Sequence, residues 1–226
     1  MGTVTLLETT TRKPITLIGE RAGVCWGADI TDAKQNYKRG LDCIQSGHGR
    51  TLEFVNVEMI LDGYSARVIR EWYTHIGGAP TRLQASTRYI NYGEFEYIVP
   101  DSVKDIPLAR ATYGNAMYTI QKAVEELEKI GIPREDAANL LPLGMCTKVV
   151  DKRNLRNLVD MSRQRMCNRA YWEFRELFKD ICQALMVYSD EWFTVITMLM
   201  KPKCDALGYC PEKHGCGMYP KAGEAK

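Results

Sequence analysis

The chain has no apolar run able to cross a bilayer: the longest, around Trp192 to Met200, stops well short of the roughly 20 residues that a spanning helix needs. It opens without a basic, then apolar, leader, so the protein is expected in the cytoplasm with no membrane partner. Internal repeats, low-complexity segments and linkers rich in Gly, Ser or Pro are lacking before about Lys201, which excludes solenoids and tandem modules. Residues 1–200 therefore read as one folding unit, followed by a cysteine-rich C-terminal tail over 201–226. No Gly-x-Gly-x-x-Gly follows a strand, which removes the usual dinucleotide-binding turn. A basic tail and a recognisable nucleic-acid motif are also missing, so nucleic acid is not an expected partner. Neither sign of charge dominates, with 30 Lys and Arg against 28 Asp and Glu, but such balance leaves room for a local basic site.

What is present is an ordinary globular composition of 226 residues, 45% apolar and 26% charged, enough for a full core. The charge is unevenly placed. Between Asp151 and Arg169 six basic residues (Lys152, Arg153, Arg156, Arg163, Arg165 and Arg169) meet only Asp151 and Asp160, which suits an anionic ligand or, more plainly, a solvated helix face. Eight cysteines without a secretory signal point to reduced thiols, with metal binding as the alternative. Cys25, Cys43, Cys146, Cys167 and Cys182 lie among apolar neighbours, and most are expected to be buried core thiols.

Hydrophobic periodicity supplies the elements. Residues 4–8 read as a strand, 31–45 as a helix with Ala33, Tyr37, Leu41 and Ile44 at helical spacing, and 54–61 as a strand with Val55, Val57, Met59 and Leu61 on one face. A helix over 65–75 enters a glycine loop, and 86–97 reads as extended with a turn at 91–93. A long helix over 108–130 carries Ala109, Tyr113, Ala116, Ile120, Ala123 and Leu127 on one stripe and stops at Gly131, with Pro133 beyond. A short helix from Arg134, a strand over 145–150 and helices over 153–163 and 165–188 follow. This alternation gives an α/β fold, a mixed sheet flanked by helices.

Residues 74–89 hold the densest polar chemistry: two adjacent glycines, Arg82, and the cluster Ser86-Thr87-Arg88-Tyr89. Backbone amides and guanidinium forks of this kind suit a phosphate. The plainer reading is a helix cap followed by a polar loop. Three further segments end elements with polar residues: His48 to Glu53, Arg70 to His75, and Asn154-Leu155-Arg156 with Asp160, Arg165 and Trp172-Glu173. Element ends are where rigid backbone can position side chains at the solvent boundary. On the helix from Arg153, Arg156 and Asp160 form an i, i+4 pair, worth only about 0.2–0.5 kcal/mol if it is a surface ion pair.

Taken in order, these residues resemble the flavin-dependent thymidylate synthases. The resemblance rests on His48 and Glu53, Arg70 and Trp72, Ser86-Thr87-Arg88-Tyr89, Leu141-Pro142, Asn154-Leu155-Arg156, Arg165 and Trp172-Glu173, and it spans about residues 1–200 as one catalytic domain. Where the family has Arg-His-Arg, this chain has Thr74-His75-Ile76 and a lengthened loop; an arginine before Leu-Pro is Ala138, and a flavin-side asparagine is Asp160. Arg82, inside the longer loop, offers one replacement contact.

The resemblance implies a largely antiparallel sheet, a homotetramer, and transfer of a methylene from methylenetetrahydrofolate to C5 of dUMP. Reduced FAD then completes the methyl with hydride, and NADPH reduces the flavin. It assigns Arg165 and Ser86 to the catalytic set and Glu71, Arg82, Gln84, Ser86, Thr87, Arg88 and Arg165 to the nucleotide. Flavin contacts are assigned to His48, Arg50, Glu53, Thr74, His75, Ile76, Asn154, Arg156 and Asp160. Ser86 is assigned to binding, because no general base in its motif activates it. The alternatives on the same fold are a flavin-dependent pyrimidine hydroxymethylase and a nucleotide-binding protein without catalysis.

The tail groups Cys204, Cys210, His214 and Cys216, close to a Cys3His zinc set, although the Cys-x2-Cys knuckle is lacking. Free thiols in a loose segment are the alternative, and a zinc-tailed nucleic-acid binder is the reading least supported by the rest of the chain.

Overall fold

Val57, Met59 and Leu61 form the buried face of the longest strand, and Val55 continues it one residue before the strand begins; all four side chains are 0% exposed. The computed structural model describes residues 2–224. In chain order these form β1 (Thr3–Leu6), α1 (Pro14–Cys25), α2 (Ala33–Gln45), a 3-10 turn (Gly49–Phe54), β2 (Asn56–Ser65), α3 (Ala66–Trp72), β3 (Thr81–Gln84), α4 (Asp101–Lys104), α5 (Pro107–Lys129) and α6 (Arg134–Ala137). They continue with β4 (Cys146–Asn154), α7 (Leu155–Arg165), α8 (Trp172–Tyr188), α9 (Asp190–Leu199) and α10 (Lys203–Leu207). The strands pair in the order β1-β2-β4-β3, an antiparallel sheet flanked by helices, which is the expected class.

Two compact units, each discontinuous in sequence, make up the described chain. One comprises 2–3, Leu61–Thr74 and Arg82–Val150. Its apolar centre is Tyr92, Phe95, Met117 and Met145, with Tyr97, Tyr113, Ile120 and Leu141 against it. Ser65 caps α3, its Oγ accepting from the Val68 amide at 3.1 Å, and Ala66 and Arg67 donate to the Met145 and Leu143 carbonyls. The orphan donors of a buried helix start are thereby satisfied. The stripe expected on α5 lies only partly inward. Ala109, Tyr113, Ile120, Ala123 and Leu127 are half-buried and Ala116 is exposed, while the buried residues of the helix, Met117 and Val124, lie outside the expected stripe. Residues 86–97, expected as extended, run instead through successive turns. The strand falls earlier, at β3, and Ala85 donates to the Lys148 carbonyl at 2.8 Å.

The other unit comprises Val4–Ile60, His75–Thr81 and 151–224. Its first helix, α1, has no charge pattern to announce it, and its glycines are packing residues. A β-carbon on Gly19 would collide with the Asn36 carbonyl, and one on Gly40 with the Ile15 carbonyl, so α1 and α2 cross backbone to backbone. Asp32 caps α2 through the Lys34 and Gln35 amides. Leu7 donates to Glu58 and Thr11 to Asn56, the opposed order of an antiparallel pair. Helix α8 buries Phe174, Leu177, Phe178, Ile181 and Leu185, and it begins at Trp172; the helix expected from Arg165 is interrupted by a turn over 166–171. The cysteine expectation needs correction: only Cys43 and Cys182 of the five are buried, Cys146 and Cys167 are half-buried, and Cys25 is exposed.

Candidate active site

The unit containing His75 builds its polar site on the N-terminus of α7. Asp151 and Arg153 lie two residues apart on β4 and so share a face. They form a fully buried fork, Nε to Oδ2 at 2.6 Å and Nη2 to Oδ1 at 2.7 Å. Arg153 also donates to Asn157 Oδ1 at 2.7 Å, while Asn154 caps α7 by accepting from the Asn157 amide at 2.9 Å. The loop His75-Ile76-Gly77-Gly78-Ala79 rests on these asparagines. Gly78 has φ +73°, and a β-carbon there would strike the Asn154 amide, so both the backbone angle and the close approach require glycine.

Arg165 closes the arrangement. Its Nε donates to His75 Nε2 at 2.9 Å, and its guanidinium lies 4.7 Å from the centre of the Phe174 ring. His75 itself meets Phe174 edge to face, with ring centres 5.9 Å apart. Burial, then the charges of Arg165 and Arg153, push the His75 imidazole down to about 4, so it is neutral at physiological pH and serves as an acceptor. Arg165 also lines a cavity of about 490 Å3, within the roughly 300–1,000 Å3 typical of ligand pockets. Arg163, Arg169 and Lys203 share its wall with one carboxylate, Glu212, which pairs with Arg169 at 3.2 Å. The basic excess seen in the sequence thus splits: Arg153 is a buried structural ion, whereas Arg163, Arg165 and Arg169 face this cavity.

The remaining residues of this unit that were expected at the flavin stand more openly. Arg156 pairs with Glu53 at 2.7 Å, not with Asp160 as expected, and Asp160 faces Arg163 at 3.5 Å. Helix geometry allows both partners, and the 3-10 turn brings Glu53 to Arg156. His48 meets the Trp26 ring edge to face at 6.4 Å, and Arg50 and Ile76 are exposed.

In the other unit, Arg82 turns back on α3. Its Nη1 donates to the Tyr73 carbonyl at 3.0 Å and its guanidinium lies 4.4 Å over the Tyr73 ring, so it caps the helix C-terminus. Thr74 closes the same end, donating to the Glu71 carbonyl at 2.7 Å. Gln84 donates to Thr147 at 3.2 Å. Ser86 and Thr87 are half-buried, the Ser86 hydroxyl accepts from the Arg88 amide at 3.2 Å, and Arg88 forms an exposed pair with Glu135 at 2.8 Å.

Several contributors escaped the sequence reading. Phe174 and Asn157 were not singled out, and Asp151 and Arg153 were counted only as charge, although their spacing on a strand-to-helix junction was the usable clue. The tail set is corrected too: among the described residues no three His, Cys, Asp or Glu side chains are placed where they could hold a metal ion, so Cys204, Cys210, His214 and Cys216 are not gathered as a ligand set.

Comparison with known proteins places the chain. Residues 5–187 match the family described as thymidylate synthase complementing protein. The flavin-dependent thymidylate synthase of Nitratidesulfovibrio vulgaris is 28% identical over 187 residues, covering 78% of this chain and 74% of that protein. The enzyme of the same name from Thermococcus kodakarensis is 31% identical over 171 residues, covering 74% and 69%. Among solved structures, the UMP/dUMP methylase PolB of Streptomyces cacaoi, bound with 5-Br dUMP, superposes with a TM-score of 0.72 at 17% identity, over 88% of this chain and 96% of that one. Helix-flanked sheet, arginine-lined cavity and a match over most of the sequence agree, and the chain belongs to the flavin-dependent thymidylate synthase family.

Proposed function

We propose that this protein methylates dUMP at C5 to give dTMP, with methylenetetrahydrofolate as carbon donor, FAD as cofactor and NADPH as reductant. Family membership supports the reaction class, and the fold neighbour bound with 5-Br dUMP supports a uracil nucleotide as substrate. The observation that carries the reading is Arg165, a cation held by a neutral histidine and an aromatic face at the wall of a basic cavity.

Arg165 would stabilise negative charge that builds on the uracil ring as C5 attacks the methylene. His75 fixes its orientation without competing for its charge, since a neutral imidazole accepts the Nε proton and adds no positive charge of its own. Gln84, Ser86, Thr87 and Arg88 would bind the nucleotide through hydroxyl, amide and guanidinium donors, with Glu71 and Arg82 holding the end of α3 that leads into them. Arg163, Arg169 and Lys203 add positive potential for an anionic ligand.

The residues assigned to the flavin fit such a group: Arg50 and Arg156 offer charge for a diphosphate, and exposed Ile76 offers apolar surface. His48, Glu53, Thr74, His75, Asn154 and Asp160 would complete the holding set. Bound and reduced, the cofactor supplies the hydride that completes the methyl group.

The test is an anaerobic absorbance spectrum before and after NADPH and dUMP, followed by mass analysis of the nucleotide once methylenetetrahydrofolate is added. A flavin band that bleaches and a product heavier by one CH2 are expected. A protein that takes up no FAD, or a product with the hydroxymethyl mass, overturns the reading.

A further inference from the structure

The cavity beside Arg165 has two walls of different origin. Arg163, Arg165 and Arg169 come from the end of α7 and the turn after it, inside residues 5–187 that match the family. Pro202, Lys203 and Pro211 come from the C-terminal segment, beyond that match, and both walls belong to the same compact unit. Four of the charged side chains on these walls are cationic, and only Glu212 is anionic. The cations are not equally committed. Arg165 is held by His75 and Phe174, Arg169 pairs with Glu212 at 3.2 Å, and Arg163 faces Asp160 at 3.5 Å. Lys203 is exposed, and no described residue pairs with its ammonium.

We propose that this cavity binds the glutamate end of the folate donor, and that Lys203 makes the protein prefer donors extended by γ-linked glutamates, each of which adds one carboxylate. A cavity of about 490 Å3 with cations dispersed over two walls suits a ligand with several separated negative groups, whereas a single phosphate gathers its donors around one centre. On the methylation reading, on which this proposal rests, C5 attacks a methylene beside Arg165. The carrier of that methylene therefore lies against this cavity during the step that Arg165 serves.

The other anionic groups have cations elsewhere: Arg88 for the nucleotide phosphate, Arg50 and Arg156 for the flavin diphosphate. Only the folate carboxylates are left for Arg163, Arg169 and Lys203. NADPH is anionic too, but it reduces the flavin and is not needed where the carbon is transferred. Ala170, Pro202 and Pro211 add apolar wall, which suits the benzoyl ring that precedes the glutamates. Exposed cations each contribute little and are screened by salt, so the preference is graded rather than absolute. Added glutamates leave the chemistry at the methylene unchanged, and their binding energy is expressed equally before and at the transition state. It lowers KM for the donor and leaves kcat alone.

Calorimetric titration of the FAD-loaded full chain with tetrahydrofolate and with its pentaglutamate should show about tenfold tighter binding of the pentaglutamate at low salt, since three exposed charge pairs each give a few-fold at most. Lys203→Ala should cut that ratio about threefold, and Lys203→Arg should keep it. Glu212→Gln, which removes the opposing carboxylate, should raise it, a gain that mere loosening of the segment would not give. Lys179→Ala, an exposed charge on α8, should leave it unchanged. A free tetra-γ-glutamate peptide, which needs neither flavin nor turnover, should bind the full chain at low salt and bind more weakly to Lys203→Ala. Equal affinity for the two folates, no binding of the peptide, or a Lys203→Ala variant that weakens dUMP or NADPH while keeping the folate ratio would each overturn the proposal. Preference for the pentaglutamate without dTMP formation fails the methylation reading alone, and dTMP formed with equal KM for both donors fails this proposal alone.

Discussion

Two arginines offered by the sequence for the same anionic substrate stand in opposite surroundings. Arg165 is gripped by His75 and laid on Phe174 in a half-buried position, its side chain ordered before any ligand arrives. Arg88 stands on a turn, 65% exposed, with Glu135 as its partner and the Tyr89 ring 6.0 Å away. The first arrangement spends its ordering cost during folding, the second during binding. Pre-organisation matters most where charge changes along a reaction, and least where a fixed charge is merely held.

Removing the gripped arginine should therefore have the largest effect. Arg165→Ala is expected to lower dTMP formation by about 10^3-fold or more, the upper range for losing one preorganised charge-stabilising group, with an unchanged melting temperature. Normal turnover would erase the distinction between the two arginines. Arg153 is the buried extreme of the series, and Asp151→Ala, which strands its charge, should cost about 3–5 kcal/mol in urea unfolding. Arg88→Ala should weaken dUMP binding by about 2 kcal/mol in a calorimetric titration if it makes a charged contact, and Glu135→Gln, which only removes a competitor, should change affinity by at most about 1 kcal/mol. Unchanged affinity in Arg88→Ala would remove that residue from the site.

A further test is a pH slope. His75 titrates at about 4 when folded against 6.5 ordinarily, so between those values the unfolded chain binds the proton that the folded protein refuses. Stability should be full above about pH 6.5, fall as pH drops toward 4, and level off below. His75→Gln keeps an acceptor and should flatten that slope in a melting series; an unchanged slope would assign it to other groups.

Much of this was legible in the chain because local and tertiary demands coincide. Alternation in β2 survives as a buried face, and Asp32 and Asn154 cap the helices they precede. Helix α1 was invisible because Gly19 and Gly23 lower its propensity, while the close crossing with α2 requires the first of them. The arginine grip was invisible for another reason: His75 and Arg165 lie ninety residues apart, and nothing in either local pattern specifies the pairing. Charge counting could not separate Arg153 from its neighbours, since burial depends on the strand face it occupies.

One hydrogen bond has a consequence for how the protein is made. Trp192 Nε1 donates to the Thr11 carbonyl at 2.7 Å, and Glu191 accepts from the amide and hydroxyl of Thr16, so α9 seals the entry to α1. The partners are separated by 181 and 175 residues. On the ribosome, the N-terminal helix is synthesised long before its lid exists. At about 5–20 residues per second the chain waits roughly ten seconds or more with that surface open, a window in which a chaperone has something to hold.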